Sequence, residues 1–243
     1  MASRNYYTSV VMGSTFSNTK SVQFNGTTGY LRIPSPSASL QLNGLTNSHT
    51  ISVWLKYPSI PASYLVIGNS ANTVTKGFGM GYIAGRWYYW FSAGGGNRMF
   101  QAAPNNILPV VNQWNNLIFN QPTAGTLADA YWVFNGTQIF WNDASGGGIL
   151  IDSLTGNTNT AIPVYSGTVT SLATYYNGLF DELSVNIGAL TLADCVDIYN
   201  GGTPKDISSY SPDFWWRFED NYNEQGGADA WTNNLTTFSS DVP

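Results

Sequence analysis

The sequence predicts an all-β protein that folds as a two-sheet antiparallel β-sandwich with one short helix. Short runs of alternating apolar and polar residues, bounded by Gly, Asn, Pro and Ser, recur at intervals of about 8–12 residues. Charged residues make up only 9% of the chain and aromatic residues 15%, unlike the Lys- and Glu-rich balance of helical proteins. With 243 residues, the chain is long enough to bury the core of one large β domain.

The alternation predicts about a dozen strands. The clearest is the run Thr50–Lys56, in which Ile51, Val53 and Leu55 fall on one face, as in a half-buried strand. The remaining predicted strands are Ser21–Phe24, Gly29–Ile33, Tyr64–Ile67, Gly77–Ile83, Arg86–Ser92, Trp114–Asn120, Tyr131–Asn135, Thr137–Trp141, Val164–Tyr165, Gly178–Asn186 and Trp215–Glu219.

One short helix interrupts this pattern before residue 200. Thr191 stands at the N-cap position, Asp194 follows three residues later as in a capping box, and Gly201 can close the C-terminus. Cys195 and Ile198 share the inner face of this helix, so the only cysteine is predicted to be a small buried hydrophobe.

The charge pattern excludes several classes of partner. The net charge is −5, and the nine Lys and Arg residues are scattered singly, so no basic stripe is available for nucleic acid. One Cys and one His leave little for a zinc site or for Cys- or His-based catalysis. The chain contains no run of about 18 apolar residues, so the sequence predicts no membrane-spanning helix. The first residues, Met1–Tyr7, also lack the apolar stretch of a signal peptide.

Eight segments stand in the order and at the spacing seen in one known family. They are Phe24–Gly26, Tyr30–Pro34, Thr50–Lys56, Gln113–Leu117, Tyr131–Gly136, Asn177–Val185, Gly188–Thr191 and Trp215–Asp220. Together they resemble concanavalin A-like, laminin G-type domains. The resemblance implies a jelly roll over residues 18–220. Residues 1–17 are polar and without period, so an N-terminal arm is expected there, and residues 221–243 are expected to form a C-terminal tail packed on the domain.

The tail Trp231–Pro243 resembles the ends of laminin G-like proteins encoded by tailed phages and other aquatic viruses. This resemblance implies a structural protein of the virion surface, as a capsid decoration or cement protein or as part of a fibre or spike. Its expected partners are the major capsid protein or other virion proteins, and a homo-oligomer is the expected assembly. Because the same sandwich also carries lectins and enzymes, the fold does not settle the function.

Catalysis is not expected. Glycoside hydrolysis needs two carboxyl groups about 5–10 Å apart across one sugar. The adjacent pair Asp181 and Glu182 is predicted to point to opposite faces of a strand, with Asp181 on the apolar face. A buried Asp181 must be paired or hydrogen bonded, so it either ties loop amides or pairs with Arg217. Asp181, Glu182 and Arg217 are thus interpreted as a structural motif.

Two kinds of binding site remain candidates, and both suit a lectin-like adhesion module that binds a glycan. The strand Arg86–Ser92 turns Tyr88 and Trp90 to the face opposite its core residues, where they form an aromatic platform for a sugar or a subunit contact. Trp141 is a further aromatic candidate. Calcium, which binds six to eight oxygens, is a candidate cofactor at Asp152 or at the turn that holds Asp220.

Overall fold

A computed structural model describes residues 16–42, 47–60, 63–69, 77–83, 85–94, 97–102, 110–139, 149–151, 163–169, 174–225 and 229–243. One α-helix occurs in these ranges, α1 (Leu192–Tyr199). The strands are β1 (Ser21–Asn25), β2 (Tyr30–Ile33), β3 (His49–Lys56), β4 (Ser63–Gly68), β5 (Gly77–Ile83), β6 (Arg86–Gly94), β7 (Asn97–Ala102), β8 (Asn115–Gln121), β9 (Tyr131–Phe134), β10 (Thr137–Ile139), β11 (Ile149–Ile151), β12 (Val164–Ser166), β13 (Thr168–Val169), β14 (Thr174–Tyr175), β15 (Asn177–Ile187), β16 (Phe214–Trp216), β17 (Thr232–Asn234) and β18 (Thr237–Ser239).

The strands form the predicted antiparallel sandwich of two large sheets. The first sheet has the order β10-β9-β8-β3-β15-β1-β18, and β16 pairs with the second half of β15 beside β1. The second sheet has the order β11-β7-β6-β5-β4-β12-β2-β17, and β13 and β14 make a small sheet of their own. The predicted all-β fold class with one short helix is therefore confirmed.

The core lies between the inner faces of the two sheets. As the alternation predicts, every second residue of β3 points into it from the first sheet, and every second residue of β6 points into it from the second. These fully buried residues are Ile51, Val53, Leu55, Trp87, Tyr89 and Phe91.

Helix α1 packs on the outer face of the first sheet. Thr191 caps it, since its side chain accepts a hydrogen bond from the Asp194 N–H at 3.2 Å and the Asp194 carboxylate accepts one from the Thr191 N–H. Asn200, one residue before the predicted Gly201, is the left-handed C-cap. Cys195 is fully buried under the helix, as expected. In the described part of the chain, no helix is long and apolar enough to cross a membrane.

The segment 221–243, predicted as a packed tail, supplies an edge strand to each sheet. β17 pairs with β2 in the second sheet, and β18 pairs with β1 in the first. Between β16 and β17, Trp231 enters the core with 4% of its surface exposed, and its backbone N–H donates to the Tyr222 carbonyl oxygen at 2.9 Å. The C-terminal residues are thus part of the sandwich itself.

Candidate functional site

Strand register builds a row of residues across the outer face of the second sheet. Arg32 of β2 pairs with Tyr165 of β12, which pairs in turn with Gly68 of β4. Gly68 pairs with Gly79 of β5, and Gly79 pairs with Trp90 of β6. Because neighbouring strands lie about 4.8 Å apart, this row extends about 19 Å from Arg32 to Trp90.

The floor of this face is apolar and consists of Leu65 and Trp90. Their exposed fractions are only 2% and 1%. A side chain at Gly79 would place its Cβ 2.2 Å from the Trp90 ring, so the ring lies flat across the glycine backbone of β5. The prediction of Trp90 as an open platform is therefore wrong, because the ring lies on the glycine backbone of β5 and neighbouring side chains pack against it.

Half-exposed side chains surround this floor. Tyr88, Ile83 and Tyr165 pack against Leu65 and Trp90, so the predicted residue Tyr88 does lie at the edge of the face.

Tyr30 and Arg32 extend this rim on the side of β2. The rings of Tyr30 and Tyr165 have centroids 6.1 Å apart, and the Arg32 guanidinium carbon lies 6.0 Å from the Tyr165 centroid. We call the outer-face residues Tyr30, Arg32, Leu65, Tyr88, Trp90 and Tyr165 the aromatic face.

Four members of the aromatic face are not predicted as site residues from the sequence; they are Tyr30, Arg32, Leu65 and Tyr165. Tyr30 and Arg32 alternate with the core residues Leu31 and Ile33, so the pattern of β2 does place them outward. What the pattern cannot show is that β12, with only three residues, inserts between β2 and β4 and carries Tyr165 to the middle of the face. Trp141, the third predicted aromatic residue, lies outside the described residues.

A buried acidic pair lies on the opposite side of the molecule, on β15. The register of β15 with β3 shifts after Asp181, and Glu182 adopts a positive φ of 49°. The extra residue of this bulge turns Asp181 and Glu182 to the outer face of the first sheet, while Phe180 and Leu183 point into the core. The prediction that the two carboxyl groups point to opposite faces is wrong, because plain alternation does not hold across a bulge.

Both acids are held by hydrogen bonds to neighbouring side chains and amides. Asp181 accepts from the Asn18 amide and from the Glu182 N–H, each at 2.9 Å. Glu182 accepts from the Trp215 indole N–H at 2.5 Å and from Arg217 Nε at 3.3 Å. Arg217 therefore pairs with Glu182 rather than with Asp181, and Asp181 ties amide groups.

Burial changes the acidity of both groups. It raises the pKa of Asp181 well above its usual range, and the neighbouring Glu182 charge raises it further. Burial also raises the pKa of Glu182 to about 7, although the Arg217 charge and the Trp215 hydrogen bond oppose this. The pair is thus costly to ionise, as expected for carboxyl groups removed from water.

The residues just before β1 dock onto this acidic pair and its neighbours. Phe16 stacks on Trp215 with ring centroids 6.4 Å apart, and Arg217 lies 4.4 Å from the Phe16 centroid. The Thr19 N–H donates to the Glu219 carboxylate at 2.7 Å. The described end of the predicted arm is therefore attached to the first sheet, and residues 1–15 lie outside the described ranges.

Replacing Asp181 by alanine is expected to lower the free energy of unfolding by more than about 1 kcal/mol, because two donors lose their acceptor. Chemical denaturation measures this change. Asp220→Asn is the control, since the Asp220 side chain is 68% exposed and 3.9 Å from Lys20, and asparagine tolerates the left-handed φ of 55° at this position. The control is expected to have less than half the effect. Unchanged stability in Asp181→Ala, together with loss of ligand binding, would contradict the structural role.

The calcium prediction gains no support from the groups near Asp220. That carboxylate faces Lys20 and solvent, and among the described side chains no three His, Cys, Asp or Glu residues are grouped to hold a metal ion. Asp152 lies outside the described residues, so its calcium role stays a prediction.

The architecture is that of a jelly-roll β-sandwich whose second sheet presents an aromatic outer face. Residues 25–195 match the laminin G model of the concanavalin A-like lectin/glucanases superfamily. The chain belongs to this family, and the predicted resemblance is confirmed at that level. No curated protein matches the chain by sequence.

Solved structures share this fold at low sequence identity. A candidate carbohydrate-binding protein from Bacteroides ovatus is 14% identical with a TM-score of 0.60; the match covers 92% of this chain and 60% of that protein. A heptameric SAP-like pentraxin from Limulus polyphemus is 13% identical with a TM-score of 0.52, and the match covers 91% of this chain and 94% of the pentraxin chain. The CBM40 domain of a Ruminococcus gnavus sialidase, bound to α2,3-sialyllactose, is 15% identical with a TM-score of 0.53, covering 76% and 99%. These similarities show the fold alone.

Proposed function

We propose that this protein is a non-catalytic, glycan-binding module and that its glycan lies on the aromatic face. The observation that carries the proposal is the rim of half-exposed tyrosines around the apolar floor of Leu65 and Trp90. Ligand sites are mostly apolar and aromatic surfaces with a few polar groups that orient the ligand. The Arg32 side chain supplies such a group beside Tyr30 and Tyr165.

A sugar ring matches this chemistry because it has apolar C–H faces and hydroxyl edges. A tyrosine ring offers an apolar body for the first and a hydroxyl for the second, at a small cost in conformational entropy. The row from Arg32 to Trp90, about 19 Å long by strand spacing, is long enough for a short oligosaccharide. The carbohydrate-binding proteins among the solved structures of this fold support the same class of ligand.

A binding role is favoured over hydrolysis by where the carboxyl groups lie. A glycosidase needs two of them across one sugar. The outward side chains described on β2, β4, β5, β6, β12 and β17 include no Asp or Glu. The buried acids Asp181 and Glu182 belong to the other sheet, where amide, indole and guanidinium donors occupy them.

Replacing Tyr165 by alanine is expected to weaken glycan binding about fivefold, because the loss of one stacked ring costs on the order of 1 kcal/mol. A glycan array identifies a ligand, and calorimetry then compares the variants. Tyr210→Ala is the matched control, since Tyr210 is also half-exposed but packs beside Trp215 on the first sheet. Circular dichroism verifies that both variants fold.

Three results would contradict this proposal. If Tyr165→Ala binds as the unmodified protein does, the glycan does not use the aromatic face. If Tyr210→Ala loses binding equally, the effect is one of general stability. If no glycan on a broad array binds, the module is not a lectin.

The virion-surface role stays a prediction from sequence resemblance, and it is compatible with glycan binding because a virion lectin would satisfy both. Particles from the source, separated on a density gradient, give the test. Mass spectrometry counts this protein against the major capsid protein. Tens to hundreds of copies per particle would indicate capsid decoration, and a few copies would indicate a fibre or spike. Absence from the particle band would contradict the prediction.

Light scattering of the purified protein tests the predicted homo-oligomer.

A further inference from the structure

The cations of this protein are distributed unequally between the two sheets. Among the Lys and Arg side chains that the structure describes, most form an ion pair with a carboxylate; the paired residues are Lys20, Lys56, Lys205 and Arg217. Arg32 and Arg86 are the described exceptions, and register places both on the outer face of the second sheet. The described part of this face therefore carries positive charge in a protein whose net charge is −5.

Arg32 is the more confined of these two cations. Its Nε is buried and has no hydrogen-bond partner in the described structure, while its guanidinium lies 6.0 Å from the Tyr165 centroid. A cation that has lost part of its water without gaining an anion is unfavourable in itself. By contrast, Arg217 has the carboxylate of Glu182 at 3.3 Å. A ligand anion at Arg32 would supply the missing counter-charge.

We propose that the glycan bound on the aromatic face is acidic, and that Arg32 holds its oxyanion, a carboxylate or a sulfate. This inference rests on the glycan-binding function proposed above. The planar guanidinium matches such oxyanions through paired, charge-assisted hydrogen bonds. Tyr165 and Tyr30 lie beside Arg32, where they can pack on the sugar that carries the anion. No described carboxylate on this face would repel it.

The test compares neutral glycans with acidic derivatives of the same parent. Lactose, 3′-sialyllactose and 3′-sulfolactose form one series, and polygalacturonate with its methyl ester forms another. Both series are included in a broad array of neutral glycans and their acidic derivatives. The glycans that bind are then titrated into the protein by calorimetry. We expect the acidic derivatives to bind more tightly than their parents. The sialyl and sulfo compounds distinguish a carboxylate from a sulfate.

Arg32→Gln is expected to weaken binding of the acidic glycan about tenfold or more, because one charge-assisted contact is lost. Raising the ionic strength is expected to weaken binding to the unmodified protein as well. Arg86→Gln is the matched control. It removes the same charge from the same face at the far end of β6, four strands away from β2.

Each alternative result has a distinct meaning. Equal binding of neutral and acidic glycans, unaffected by Arg32→Gln, overturns the inference but leaves the glycan-binding function standing. If Arg32→Gln loses the same affinity for neutral and for acidic glycans, Arg32 contacts hydroxyl groups, and the proposed specificity for acidic glycans is overturned. An equal loss in Arg86→Gln shows only general attraction of charge and also overturns it. Binding to no glycan on the array overturns both the inference and the proposed function.

Discussion

Replacing Arg217 by methionine is expected to lower the free energy of unfolding by about 3–5 kcal/mol at pH 8, the usual cost of leaving a buried charge without its partner. Glu182 is only 5% exposed, and the Arg217 guanidinium is its one described cationic partner. Arg217 also lies against the rings of Phe16 and Trp215. Methionine keeps most of the apolar stem, so that the missing charge dominates the effect.

The sign of the pH dependence follows from the raised pKa of Glu182. Burial raises this pKa to about 7 from 4.5, so the folded protein favours the protonated acid. The stability that this group contributes is therefore fully present below about pH 4.5 and is lost as the pH rises to about 7. Without Arg217 the ionised acid is costlier still, so Arg217→Met is expected to be more harmful at pH 8 than at pH 4.5.

A double-mutant cycle with Glu182→Gln separates charge from packing. Glutamine can still accept from the Trp215 indole but carries no charge, so Arg217→Met in that background is expected to cost less than half as much. Denaturant unfolding at pH 4.5 and pH 8 measures all four proteins. Equal costs of Arg217→Met in both backgrounds and at both pH values would show that Arg217 acts through packing alone.

The fold could be predicted where one face of a strand is buried and the other is not. Alternation in β3 and β6 identifies their core residues because each inner face meets the opposite sheet. The same reasoning fails on β15, where the bulge at Glu182 shifts the faces, and no local residue type announces that bulge. It also misses β17, whose residues Thr232–Asn234 are polar on both faces because the strand is an edge.

The candidate site was partly predictable for a related reason. Tyr88 and Trp90 follow from the alternation of β6, but Trp90 is buried because its ring lies on a glycine of β5 and side chains of neighbouring strands pack against it. Tyr165 lies at the centre of the aromatic face because β12 pairs with both β2 and β4. Its pairing partner on β4, Gly68, is more than 90 positions away in the sequence. Pairing at such distance depends on the whole topology and leaves no mark in the local sequence.

The outer faces of the two sheets differ in how their polar groups are used. The outer face of the first sheet takes helix α1, the residues before β1 and the buried acid pair, so its polar groups are used for attachment within the chain. On the outer face of the second sheet, two arginines have no carboxylate partner in the described part of the chain, and half-exposed tyrosines lie beside them. Unsatisfied charge next to aromatic surface is what a ligand can use, which is why we place the glycan there.

Acid is expected to destabilise the protein through His49, the only histidine in the chain. His49 is fully buried in contact with the rings of Tyr89 and Phe119, at centroid distances of 5.1 and 6.1 Å. Its Nδ1 donates to the Asn47 carbonyl oxygen at 3.3 Å, and its buried Nε2 has no hydrogen-bond partner among the described residues. Burial lowers the pKa of His49 to about 4 from 6.5, against the opposing Asn47 hydrogen bond.

The folded pKa lies below the unfolded one, so the stability contributed by neutral His49 is present above about pH 6.5 and is lost as the pH falls to about 4. The full loss is about 3 kcal/mol. Asp181 and Glu182, whose pKa values are raised by burial, act in the opposite direction, so in the unmodified protein the acid pair opposes the loss from His49. His49→Phe keeps a ring and removes the titration, so its stability is expected to rise steadily as the pH falls from 7 to 4.5.

Proton NMR tests the cause directly, because a chain with one histidine has one imidazole Hε1 signal to follow. We expect this signal to titrate with a midpoint near 4 while the protein is folded. If His49→Phe does not fold, this titration of the unmodified protein still decides the matter. A buried imidazole without a counter-charge resists protonation, so a midpoint near 6.5 would show that the ring reaches water. The packing of β3 against β6 around His49 would then be looser than the ring contacts imply.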